Sequence, residues 1–363
     1  MKKFSGLRKN SMANIKDLLQ NVVDSKASDL HLITGNPPVL RIDGSLASIS
    51  GFGVLTPDMI TELLKEILTA EQWERLTVNK ELDFSLPFSD KGRFRINAYT
   101  QKNSLAAAFR LIPLTVPSIE SLGLPPILHS FTSLRQGFVL ITGPTGHGKS
   151  TTLAAMLQEI NQTRAAHIVT IEDPIEFIFN PVKSIISQRE MRSDTHSWEM
   201  ALRSVLREDP DVVLVGEMRD YETIAAALTV AETGHLVFAT LHTNSAAQSI
   251  DRIVDVFPEE QQAQVKLQLS NVIEAVFSMR LIPAIVKGRA VAYEVMLGTT
   301  AIKTAIREGK THQIESILET SQEVGMSTIE KSLADLVKRE IITLEVAQSW
   351  SLRPEELTRL VRS

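Results

Sequence analysis

Hydrophobic positions change their period several times along the chain. From Ala13 onward, Ile15, Leu18, Leu19, Val22 and Val23 recur at helical spacing, which predicts an amphipathic helix. SDLHLITG and PVLRIDGSL then alternate apolar and polar positions as two short strands. Thr56, Pro57 and Asp58 supply an N-cap with proline at the first helical position, opening a helix through Leu63, Leu64 and Ile67. ELDFSLPF, GRFRINAYT and SLAAAFRLIP read as three more strands, with a turn at Asp90, Lys91 and Gly92. Residues 1–112 are therefore expected to form a small α+β domain.

IPLTVPSIESLGLPPI carries four prolines and little periodicity, which predicts an extended linker over 113–130. Beyond it the pattern changes. GFVLITG, HIVTIED, DVVLVGE and HLVFATLHT are near-continuous apolar runs separated by helical segments, the mark of strands buried on both faces of a largely parallel sheet. From Pro258 the remainder reads as helical, with Glu- and Lys-rich faces. The second domain, 131–363, is thus expected to be α/β with a C-terminal helical region.

Composition narrows the partners. The chain has 363 residues, 43% of them hydrophobic, enough for two cores. With 38 basic and 43 acidic side chains the net charge is −5, so no sequence-wide field draws in nucleic acid. The absence of cysteine excludes disulfides, thiolate zinc sites and a cysteine nucleophile. The basic start MKKFSGLRKNSM is not followed by an apolar stretch, and Met12 is an alternative start. Apolar runs elsewhere are interrupted, as where Arg280 cuts AVFSMRLIPAIV. None reaches the roughly 18 residues of a spanning helix. A cytoplasmic chain that meets the membrane only through partners is expected.

The chemistry gathers at strand ends. GPTGHGKST places Gly143 and, after four intervening residues, Gly148, Lys149 and Ser150 between an apolar strand and a helix with Leu153, Met156, Leu157 and Ile160 on one face. That spacing is a Walker A phosphate loop. Glycines let backbone N–H groups turn toward phosphates, Lys149 offers a point charge, and the Ser150 hydroxyl can ligate magnesium. DVVLVGE ends in Glu217, positioned to hold magnesium or polarise water, with Gly216 at the usual aspartate position. HIVTIED ends in Glu172 and Asp173, with Glu176 close behind. Ligands of open α/β sheets bind outside the carboxyl ends of strands, where all these carboxylates would meet. His235 precedes a strand and His242 ends it. A lone histidine is usually structural, but near a triphosphate an imidazole can contact the γ-phosphate, and His242 is favoured. Arg93, Arg95 and Asn97 share one face of a strand, opposite Phe94, Ile96 and Ala98. Either they form a solvated face, or they supply a neighbouring subunit with an arginine finger.

Taken in order, these motifs resemble the secretion-ATPase superfamily, from about Asn14 to the end. SDLHLITGNPPVLRIDGSL resembles its N-terminal signature; GPTGHGKST, TIEDPIEF, DPDVVLVGEMRD and TGHLVFATLHTNSAAQSIDRIVDVFP resemble its Walker A, Asp box, Walker B and His box. AIREGKTHQI, carrying Ala305, Ile306, Arg307 and Glu308, is similar to the AIRE motif of the retraction motors of type IV pili. The resemblance implies a PAS-like domain ahead of a RecA-like ATPase domain and a ring of six with ATP between subunits. It also implies a platform protein in the inner membrane, to which the ring is peripheral, and possible work beside a paralogous retraction ATPase. By position, Gly143, Pro144, Thr145, Gly146, His147, Gly148, Lys149, Ser150 and Thr151 would hold the phosphates of ATP, with His235 as a further contact. Ser150 and Glu217 would serve Mg2+, Glu172 would activate water with His242 close by, and Ala305 to Glu308 would couple turnover to movement.

Two positions depart from the family pattern. His147 stands where serine is usual, and Lys102 where an arginine is common. Lysine lacks the bidentate fork of arginine, so Arg93, Arg95 and Arg110 become the trans-finger candidates. Assembly and type II secretion ATPases usually carry a tetracysteine insert, which a chain without cysteine cannot form. Accessory retraction motors share the four boxes and stay open. A nucleic-acid translocase would show a basic stripe or stacking aromatics, whereas aromatics here are 5%. A ring that binds ATP without hydrolysis would not need both Glu172 and Glu217.

Overall fold

A computed structural model describes residues 14–42, 44–88, 92–112, 115–286 and 288–362. The N-terminal segment with Met12, the turn residues Asp90 and Lys91, and Pro113 at the expected boundary lie outside the described residues. The chain divides between Thr115 and Val116 into two compact units.

In the first unit, β1 (Asp29–Leu32), β2 (Val39–Ile42), β3 (Ser45–Ser48), β4 (Glu81–Phe88), β5 (Gly92–Gln101) and β6 (Ser104–Ile112) form one sheet. Its order is β3-β2-β1-β6-β5-β4, antiparallel throughout. PVLRIDGSL, read above as one strand, is a hairpin: Gly44 takes φ of +83°, a left-handed turn that costs glycine nothing. Alternation along β5 buries Phe94, Ile96 and Ala98 and leaves Arg95 exposed. Helices Ile15–Asp24 and Pro57–Lys65 close the apolar face with Leu18, Leu19, Ile60 and Leu64. A further helix, Ala70–Asn79, went unpredicted: it buries only Leu76, but a capping box between Thr69 and Gln72 starts it. The unit is the small α+β domain of PAS-like kind that the resemblance implied.

In the second unit, β7 (Gly137–Thr142), β8 (His167–Glu172), β9 (Ile185–Glu190), β10 (Val212–Val215), β11 (Leu236–Leu241), β12 (Ile273–Pro283) and β13 (Arg289–Leu297) form the larger sheet. The order is β13-β12-β7-β11-β10-β8-β9. Every pairing is parallel except β12 with β13. The near-continuous apolar runs have a direct cause. Phe138, Leu140, Val213, Val215, Val237 and Ala239 enter one core, while Val139, Ile141, Val212, Leu214 and Phe238 enter another on the opposite face. Ile119, Leu124 and Leu128 of the expected linker pack into that second core, so these positions belong to the folded unit.

Two expectations need correction. The chain after Pro258 is not helical throughout, because β12 and β13 run through it; IEAVFSMRLIP is apolar enough to suit either element, and period alone does not separate them. β9 was missed because an edge strand with polar positions, IISQRE, lacks the apolar run of its neighbours. C-terminal helices, among them Ile329–Lys338, Leu344–Trp350 and Pro354–Arg362, pack Leu333, Ala347 and Leu357 against Ile282 and Ala292 of β12 and β13. Among the described residues no helix is long and apolar enough to cross a membrane.

Phe238 is fully buried in the central strand β11. Phe238→Ala is expected to cost the second unit about 3–5 kcal/mol, read by urea denaturation. A loss below about 1 kcal/mol would mean that this face is no core.

Candidate active site

The order of the sheet sets β11 between β7 and β10, so the loops leaving β7, β11, β10 and β8 emerge along one edge. The phosphate loop leaves β7 at Gly143. A Cβ there would lie 2.3 Å from the Met279 carbonyl oxygen of β12; only glycine lets the loop pass. Gly148, at φ +88°, is the N-cap of helix Lys149–Thr163, whose free N–H groups and dipole suit an anion. Leu153, Met156, Leu157 and Ile160 are buried beneath it.

Lys149 is only 8% exposed. Its Nζ donates to the carbonyls of Gly143 at 2.8 Å and Pro144 at 3.0 Å, and lies 3.3 Å from His242 Nδ1. Burial lowers its pKa, while the carboxylates of Glu217 and Glu176 work the other way. His242 sits between the Lys149 ammonium and the Glu217 carboxylate: Lys149 Nζ and Thr145 Oγ1, the latter at 3.2 Å, face Nδ1, and Glu217 Oε1 is 3.0 Å from Nε2. A neutral imidazole with its proton on Nε2 satisfies both sides. Glu217 Oε2 accepts a 2.6 Å bond from Arg219 Nη2. The chain Lys149–His242–Glu217–Arg219 therefore ties together the ends of β7, β11 and β10.

The two glutamates have opposite environments. Burial pushes the Glu172 carboxyl up to about 7, against hydrogen bonds from Thr170, the Glu176 amide and Gln188. Burial also pushes Glu217 up, but Arg219 and His242 outweigh it and hold that carboxyl below the usual range. One carboxylate thus stays ionised beside the phosphate loop while the other titrates near neutrality. Gly216 sits in close quarters between them: a Cβ there would lie 3.1 Å from the Ile171 carbonyl oxygen and 3.2 Å from Glu172 Cα.

A pocket of about 680 Å³ opens over these groups. Thr145, Lys149, Ser150, Glu172, Glu217 and His242 line its polar end; Leu122, Phe177, Phe179 and Val291 line its apolar part. Size and lining suit a molecule with a charged tail and a flat apolar head.

Thr151, Gly146 and Gly148 also line the pocket, while Gly143 and Pro144 take part through their carbonyls on Lys149. His147 lies outside the lining; its Nδ1 accepts from the Leu281 amide. His235 is likewise not among the lining residues. It precedes β11 at the amino end of the parallel strands, where its carbonyl accepts from Gly137 N and its Nδ1 is 3.0 Å from the Val230 carbonyl. The length of β11 separates it from His242. Arg93, Arg95 and Arg110 belong to the first unit, with Arg95 opposite Arg110 in the β5–β6 register and Arg110 Nε 2.8 Å from Asp29 Oδ1. Ala305 and Ile306 are buried, Arg307 is exposed, and Glu308 pairs with Lys310 at 2.8 Å. Sequence reasoning missed Arg219, whose signal lay in its place two residues beyond Glu217. It also missed Arg289, which lines the pocket from β13, in a stretch read as helical.

Sheet order and loop together define a phosphate-loop nucleotide-binding protein of the RecA-like class. The chain belongs to the type II/IV secretion system protein family, whose match spans residues 9–348. It is 46% identical over 342 residues to the type IV pilus retractation ATPase PilT of Pseudomonas aeruginosa, covering 94% of this chain and 99% of that protein. The type IV pilus ATPase PilU of the same organism is 36% identical over 346 residues, covering 95% of this chain and 90% of its own. Among solved structures, the pilus retraction motor PilT with bound ADP superposes at a TM-score of 0.90 with 44% identity, covering 96% of this chain and 99% of that one.

Lys149→Ala is expected to abolish ATP binding, whereas Glu217→Ala retains binding and loses turnover; equal loss of binding in both refutes the roles. Glu172 gives a separate, pH-dependent readout. Its carboxyl, raised to about 7 in the fold, binds a proton there that the unfolded chain has already released. Its contribution is full below the unfolded value and is lost as pH rises through about 7. Between about pH 5 and 8, wild type should lose stability relative to Glu172→Gln, measured by urea midpoints. Parallel curves would show that Glu172 is not so shifted.

Proposed function

We propose that this chain is the ATP-hydrolysing motor of type IV pilus retraction, acting as a ring of six on the cytoplasmic face of the membrane. The observation that carries this is the end-to-end match, at 46% identity, to a protein named for pilus retraction. The lower identity to the PilU relative, 36% over a similar length, favours the principal motor over the accessory one, and the site described above supplies the machinery for hydrolysis.

In this reading the phosphates of ATP replace the Gly143 and Pro144 carbonyls as acceptors for Lys149. The amides at the start of helix Lys149–Thr163 hold the same phosphates. Glu172, titrating near neutrality, takes the proton of the attacking water. His242 links the phosphate loop to Glu217 and carries the presence of the last phosphate between them. Arg93, Arg95 and Arg110 are the finger candidates toward a neighbouring subunit. Ser150 and Glu217 offer the hard oxygen donors that magnesium takes alongside phosphates and water; that ion would neutralise charge on the phosphates. Arg307 and Glu308, exposed after the buried Ala305 and Ile306, would pass the motion to an inner-membrane platform protein, and a paralogous retraction ATPase could share the task.

The test is genetic. Deleting the gene in its host should give cells with excess surface pili and no surface motility, counted by electron microscopy; bald cells would mean that the motor drives assembly. Arg307→Ala should keep ATP turnover within about twofold of wild type, as an exposed surface change does, and still fail to restore motility. A large drop in turnover would place Arg307 in support of the active site instead.

A further inference from the structure

The histidine within the phosphate loop has a structural role that the nucleotide reading leaves unused. His147 Nδ1 accepts a 2.9 Å hydrogen bond from the Leu281 amide of β12. Its ring lies against Trp350, centroids 5.6 Å apart and planes inclined by 60°. Trp350 ends helix Leu344–Trp350, and its carbonyl accepts a 2.6 Å bond from Nη1 of the buried Arg280. Met279, one residue earlier, is the residue whose carbonyl oxygen confines Gly143. Three consecutive residues of β12 therefore touch the two ends of the phosphate loop and the end of a C-terminal helix.

That helix end is itself held. Just beyond Trp350, Ser351 Oγ and the amides of Leu352 and Arg353 all donate to Oε1 of the fully buried Glu330. The Arg353 guanidinium meets Glu315, Glu319, Glu330 and Glu356 at 2.7–3.2 Å. A displacement of the C-terminal helices thus carries Trp350 with it.

The contact at Leu281 has a fixed sense. An amide N–H can only donate, so Nδ1 must be unprotonated. Burial, and then the positive charges of Arg289, Lys149 and Arg280 facing the ring, hold the imidazole below its ordinary range and so in that form. A serine, usual at this position in the resemblance noted above, has no ring to lay against Trp350.

We infer that His147 is a positioning residue that fastens the phosphate loop to β12 and Trp350, so that nucleotide affinity depends on how the C-terminal helices are seated. The inference rests on the nucleotide-binding reading of the pocket. Trp350 does not line that pocket, so its effect on a nucleotide must pass through the loop.

Binding of a fluorescent ADP tests this in full-length wild type, His147→Ala, His147→Asn, Trp350→Ala and the His147→Ala/Trp350→Ala double variant. His147→Ala should weaken affinity about fivefold, the net worth of the Leu281 hydrogen bond it loses, Trp350→Ala by less because that bond remains, and the double variant no more than His147→Ala. His147→Asn keeps an acceptor for Leu281 but offers Trp350 no ring, so it should match Trp350→Ala rather than His147→Ala. As pH falls below the ordinary histidine range of about 6.5, wild type should lose affinity that His147→Asn keeps. Alanine effects that multiply in the double variant, wild-type affinity in His147→Ala, or equal acid loss in wild type and His147→Asn would each overturn the inference. Failure of wild type to bind ADP would overturn the nucleotide reading instead.

Discussion

The site is organised around a buried ammonium. Lys149 has lost most of its water, and a cation removed from water is tolerated only when protein groups take over its hydrogen bonds. Two carbonyls of the loop and His242 Nδ1 do so. For those carbonyls to face inward the loop must curl over its own lysine. For Nδ1 to accept, the imidazole must carry its proton on Nε2, which then points at Glu217. One desolvated charge thus sets the loop conformation, the histidine tautomer and the partner of the Walker B glutamate. A triphosphate offers this lysine charged acceptors in place of two neutral carbonyls, and charge-assisted hydrogen bonds are the stronger.

The sheet makes that convergence possible. With β11 between β7 and β10, His242 emerges between the phosphate loop and Glu217. Two glycines allow the close approaches: Gly143 beside the Met279 carbonyl, and Gly216 beside the end of β8. The second explains why glycine precedes Glu217, since a side chain at 216 would push against the backbone that carries Glu172. Burial at the end of β8 raises the Glu172 carboxyl to about 7.

How much was legible follows from the same physics. The phosphate loop, Glu172, Glu217 and His242 could be placed because each terminates a strand buried on both faces, and such strands announce themselves as unbroken apolar runs. β9 at the sheet edge and the antiparallel pair β12–β13 lack that mark; Arg280 in the middle of β12 even looked like a break, whereas the structure buries it against the Trp350 carbonyl. The hairpin at Gly44 was hidden because a single glycine in an alternating run does not reveal a left-handed φ. The Trp350 contact joins residues far apart in sequence, which no spacing encodes; Arg219 stood two residues beyond Glu217, but its direction toward that carboxylate is set by the fold. His235 shows the reverse failure: a motif grouped it with His242, and the length of a strand separates them.

The most direct measurement is a structure of this chain with a non-hydrolysable ATP analogue and magnesium. The account predicts Lys149 Nζ on the phosphates, detached from the Gly143 and Pro144 carbonyls, with His242 still within reach of both the last phosphate and Glu217. A nucleotide bound elsewhere, or bound here with Lys149 still on both carbonyls, would contradict it.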